Sequence, residues 1–126
     1  MADAVTSQIL VDGAKNIVAK FTNVSDGTGE AAVLKLDLST LSGAPTEVRI
    51  DKIIACTSGM AVNILWDATT DVPAFVVGQD TSGEYCFQHF GGLKNNAGAG
   101  KNGNILFTTI GHTLNDSYTI IIECSK

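Results

Sequence analysis

The chain has 126 residues, 44% of them hydrophobic, with 13 glycines, 2 prolines and 17% charged residues. That composition excludes a disordered tail, a collagen-like repeat and a disulfide mini-scaffold, and surface scaling lets about two thirds of the unfolded chain's area be buried in a core. Thirteen acidic against eight basic side chains leave a net charge of −5, which repels polyphosphate and supplies no counterion-release drive, so nucleic acid is not expected as a partner.

Residues 1–13 read as a short amino-terminal arm. The first eight carry neither a basic segment nor an apolar one, so a secretory signal or mitochondrial presequence is not expected. From residue 17 onward the dominant signal is alternation at period two, the mark of strands with one wet and one dry face. Residues 17–22 put Ile17, Ala19 and Phe21 on one side, and 32–38 put Ala32, Leu34, Leu36 and Leu38 on one side. The glycine-bearing stretch between them predicts a hairpin. Residues 48–55 alternate and then bring Ile53 and Ile54 together, which predicts a bulge or burial on both faces. A turn at 57–59 leads to 60–67, with Met60, Val62, Ile64 and Trp66 on one face, a second expected hairpin. Residues 73–77 open with Pro73 and so predict an edge strand. A short strand at 85–87 follows, and 105–109 and 118–124 are expected to pair as a last hairpin across the turn-prone 111–116.

About eight short strands and no long helix predict a single all-β domain over 1–126, an antiparallel β-sandwich or a jelly-roll-like barrel. Residues 91–104, rich in Gly and Asn, lack the apolar spacing to fold alone and are expected to be a surface loop, mobile until something holds it. No run approaches the roughly 20 apolar residues of a membrane span, so no membrane partner is expected. Cys56, Cys86 and Cys124 are odd in number, contain no CxxC pair and read as reduced packing residues. Two glycosylation sequons, at Asn23 and Asn115, carry no chemistry without secretion.

Few motifs point to chemistry. Residues 98–103 match GxGxxG literally, but a loop precedes them and a strand follows, so no helix amides converge on a pyrophosphate and no cofactor is expected. Cys86, His89, His112 and Cys124 are zinc-type ligands without zinc-type spacing, so no metal is expected. A nucleophilic set of Cys86, a histidine and Asp116 would need proximity that spacing does not supply. No enzyme is expected. Trp66, closing an alternating strand beside a polar connector, reads as core filler, with an aromatic anchor for a sugar or an interface as the other role.

Residues 1–8, 20–30, 62–70 and 90–101 together resemble a family of small virion proteins of tailed bacteriophages, and the likeness runs through nearly the whole chain. The resemblance implies a capsid cement or decoration protein on the virion exterior, made in the host cytoplasm. It would bind the major capsid protein and bridge neighbouring subunits as a homo-oligomer, a trimer by analogy. Under it, the arm (Ala2, Val5, Ile9, Leu10) would lie against the capsid by strand addition. The loop (Leu93, Lys94, Asn95, Asn96, Lys101) would order on contact. Deleting residues 2–7 is then expected to abolish shell binding and leave the fold intact. Two other roles stand beside it: a tail or fibre receptor- or glycan-binding module using Trp66, Tyr85 and the Asn-rich loop, and a head-to-tail connector or tail-tube subunit.

Overall fold

The computed structural model describes residues 4–25, 31–41, 43, 45, 47–100, 103–111, 113 and 115–125. Among them are nine strands: β1 (Ala4–Asp12), β2 (Asn16–Val24), β3 (Val33–Leu36), β4 (Arg49–Ser58), β5 (Ala61–Trp66), β6 (Val72–Val77), β7 (Ser82–Cys86), β8 (Ile105–Ile110) and β9 (Ser117–Ser125). Short 3-10 turns lie at Leu38–Thr40 and Gln88–Phe90. Alternation is obeyed closely where the strand is central. In β2 every second residue from Ile17 to Asn23 is buried, and in β9 the same holds from Tyr118 to Cys124.

The strands form two antiparallel sheets, β1-β2-β9-β4-β7 and β3-β8-β5-β6. The pairs β2–β9, β3–β8, β4–β7 and β5–β6 are successive rungs of one long ribbon whose tip is the β5–β6 turn. Rolling that ribbon up adds the pairs β4–β9 and β5–β8. This is the strand order of a jelly roll laid out as a sandwich, with β1 appended beyond β2. The sheets stay separate and no closed barrel forms.

The three expected hairpins are corrected. β2 and β3 lie in different sheets, as do β4 and β5, and β8 and β9. Alternation fixes which face of a strand is dry but not which strand it pairs with, and successive strands here cross from one sheet to the other so that two dry faces meet. The sequential hairpins are β1–β2 and β5–β6. The amino-terminal arm is corrected too: from Ala4 to Asp12 it is an edge strand already paired along β2. Of the expected dry set in 32–38, Leu36 and Leu38 are buried, while Ala32 and Leu34 are exposed. A register shift between Leu34 and Leu36 separates the two pairs. In β4 the register shift falls between Ile50 and Lys52.

The core lies between the sheets. Phe107 packs edge-on against Phe21 at 5.3 Å and against Tyr118 at 5.7 Å between ring centroids, a geometry in which ring edges meet ring faces favourably. Trp66 is 1% exposed and belongs to this core, the bland role foreseen for it. A second aromatic group, Phe75 with Tyr85 and Phe87, joins β6 to the β7 side of the other sheet.

The loop after β7 closes one end of the sandwich. Leu93 exchanges two backbone hydrogen bonds with Ile50 at the start of β4, and Thr69 N donates to Ala99 O. Asn95 and Ala97 are buried, with Asn95 Oδ1 accepting from Ala97 N. Gly100 has φ +81, and a side chain there would run into Thr69. The expectation of a loop mobile until bound is corrected for the described residues of 91–100: the apolar anchors Leu93 and Ala97, the buried Asn95 between them and positive-φ glycines on either side pin the loop to the core. At the opposite end Thr57 Oγ1 donates to Gly78 O, Gly59 N donates to Asp80 Oδ1, and Thr113 N donates to Asp116 Oδ2.

Candidate interaction surface

The two outward faces of the sandwich differ in chemistry. On the five-stranded sheet, Thr6, Thr22, Thr119, Cys56 and Ser82 form one transverse row. Nearby, Lys52 Nζ lies 2.8 Å from Glu84 and 3.7 Å from Glu123. The hydrogen bond that Lys52 Nζ donates to Glu84, and then the charges of Glu84, Glu123 and Cys86, raise the Lys52 pKa above the ordinary lysine value. This face is solvated and charged.

The four-stranded sheet presents the reverse. Register places Leu34, Leu106, Leu65 and Pro73 in one row across all four strands. A second row holds Thr108, Asn63 and Val76, and a third holds Ile110 and Ala61. None of these nine carries a charge. Leu34 is 47% exposed and Val76 54%, while Leu106 is only 6% exposed yet stands outside the core cluster. Asn63 Oδ1 is buried among these neighbours with no hydrogen-bond partner. With strands about 4.8 Å apart and rising about 3.4 Å per residue, the nine positions cover about 300 Å², the lower end of the patch sizes that on a monomer are often functional.

Sequence reading missed this face because it gave 32–38 and 60–67 one dry and one wet side and assigned no faces to 73–77 and 105–109. The signal was present at 105–107 and 75–77, where consecutive residues are all apolar, the pattern of a strand with a covered surface on both sides.

The residues singled out from sequence are scattered. Ile9 and Leu10 are exposed on β1 at the far edge of the other sheet. Lys94 and Asn96 are exposed, whereas Leu93 packs against the core and Asn95 is buried. Ala2, Lys101 and the side chain of Val5 lie outside the described residues. Trp66 offers no exposed ring for stacking. Among the described residues the structure therefore does not gather the arm and the loop into one patch.

Cys86 and Cys124 lie on opposite faces of their sheet, one exposed and one buried, and His112 lies outside the described residues. Among the described residues no three of His, Cys, Asp and Glu converge on a point that could hold a metal ion. A cleft of about 260 Å³ at the β1–β2 turn end is lined by Val11, Asn16, Asp51, Gln88, Glu123 and Cys124, among others. Its carboxylates are engaged, Glu123 with Lys52 and Asp51 with the Ser125 hydroxyl, and its thiol is buried. No family model, curated protein or solved structure matches the chain.

Proposed function

We propose that the chain is a structural adhesion subunit performing no reaction: a capsid cement protein that binds the exterior of a tailed-phage major capsid shell and bridges neighbouring subunits. The observation that carries this reading is the charge-free outer face of the four-stranded sheet. A face of about 300 Å² falls well short of the roughly 800 Å² per partner of a standard stable complex. Contacts of that size hold when repeated over many copies, as on a shell, where a second attachment becomes effectively intramolecular. Support comes also from the resemblance of the segments 1–8, 20–30, 62–70 and 90–101 to small virion proteins, and from a rigid core with pinned loops.

The test is co-sedimentation with empty capsids. Wild-type protein is expected to bind saturably, and Leu34→Glu or Val76→Glu, at exposed positions that leave the core alone, to weaken binding at least about tenfold by placing a charge in a desolvated contact. Absence of saturable binding removes the cement role, and full binding by both variants moves the contact off this face.

A further inference from the structure

We propose that β1 is a docking edge for a second copy of this chain, the two β1 strands pairing antiparallel across a two-fold axis to make one continuous ten-stranded sheet. An open edge presents unpaired N–H and C=O groups, and proteins ordinarily guard it with charge, proline, brevity or a bulge. Three of the four sheet edges here are guarded. β7 has five residues and carries Glu84; β6 carries Pro73 and a register shift; β3 has four residues, Lys35 and a register shift. β1 has nine residues, with no proline and no charge before its last residue, Asp12. Its register shift lies between Ile9 and Val11, which leaves Ala4 to Ile9 regular.

β1 also overhangs. The sheet that contains it has five strands against four opposite. Ile9 pairs with buried Ala19 and so belongs to the inner face, yet it is 44% exposed. A strand laid along β1 would satisfy the edge and help cover that side chain.

Charge selects a second copy as the occupant. With a net charge of −5, two copies repel over most approaches, and residues 4–11 offer eight consecutive uncharged positions where they can meet. A strand without charge can oppose itself with no like-charge pair. In a register centred on Ser7, Thr6 faces Gln8 of the other copy, inner-face residues stay on the inner side, and Asp12 falls outside the paired stretch. Such a contact uses the same surface on both copies and closes at two, leaving neither β1 edge open. It stands independently of the capsid reading, since it forms in solution without a shell.

Mass measurement by light scattering over a dilution series tests it. The wild type is expected to show the two-copy mass, and Thr6→Glu/Gln8→Glu the one-copy mass with an unchanged circular-dichroism melt. Gln8 neighbours Lys20 on β2, so the glutamate there is tolerated within the chain while it repels across the axis. A one-copy mass at every dilution, a three-copy mass, or a two-copy mass untouched by the glutamates overturns the proposal. A one-copy mass with β1 amides protected from exchange only on added shells assigns the edge to the capsid protein instead. If the glutamate variant does not fold, Ser7→Cys in a Cys56→Ser/Cys86→Ser background decides, because Ser7 is the position that faces itself across the axis. A covalent two-copy product on mild oxidation supports the pairing, and its absence overturns it.

Discussion

Cys124 sits on the inner face of β9, where burial, reinforced by the charges of Asp51 and Glu123, pushes its thiol above the ordinary range. Cys56 and Cys86 are exposed. A thiol reagent is therefore expected to modify two sites in the native protein and all three after denaturation, read by mass spectrometry; rapid native modification of Cys124 would contradict its burial. The sign of the linkage follows. The unfolded thiol loses its proton from about pH 8.5 upward while the folded one keeps it. Stability is fully present below that value and falls as pH rises beyond it, and Cys124→Ala should flatten the alkaline slope of a melting-temperature series. Trp66 is the largest fully buried side chain among the described residues, and Trp66→Ala is expected to cost about 3–5 kcal/mol in urea unfolding. That role was legible, because Trp66 closes the alternating set Met60, Val62 and Ile64, all of them buried. Leu34 was not legible. It shares the parity of Leu36, and only the register shift between them turns it outward.

At the scale of elements, the amino-terminal strand separates expectation from structure most sharply. Removing residues 2–7 deletes the rungs from Ala4 opposite Val24 to Ser7 opposite Phe21 and bares the edge of β2. With cross-strand pairs worth about 0.2–1 kcal/mol each, the truncation is expected to lower stability by about 1–3 kcal/mol. An unchanged urea midpoint would show that β1 adds nothing and that the segment behaves as the independent arm read from sequence. Strand existence was readable because period two is a local property. Partner choice was not, because β2 meets β9 almost a hundred residues later, and nothing in either strand's alternation names the other. The loop was misread for a related reason. Leu93, Asn95 and Ala97 are too few to predict a packed segment, and become one only because the start of β4 and the 67–71 turn lie beside them.

The whole molecule is an asymmetric plate: one broad face is laced by Lys52, Glu84 and Glu123, and the other carries no charge on its nine outward residues. The two faces predict opposite salt responses for adhesion. If the charged sheet met the shell, raising ionic strength would shorten the Debye length from about 10 Å at 0.1 M to about 3 Å at 1 M and weaken binding steeply. Contact through Leu34, Leu65 and Val76 depends instead on removing apolar area from water, which screening leaves alone and sulfate strengthens. Adhesion of an acidic chain through its apolar face should therefore hold or tighten between low and high salt, and tighten further in ammonium sulfate. Co-sedimentation with empty shells across that series is the measurement. A monotonic loss of binding with salt would place the contact on the charged face, and Lys52→Ala would then be the variant that abolishes it, in place of Leu34→Glu.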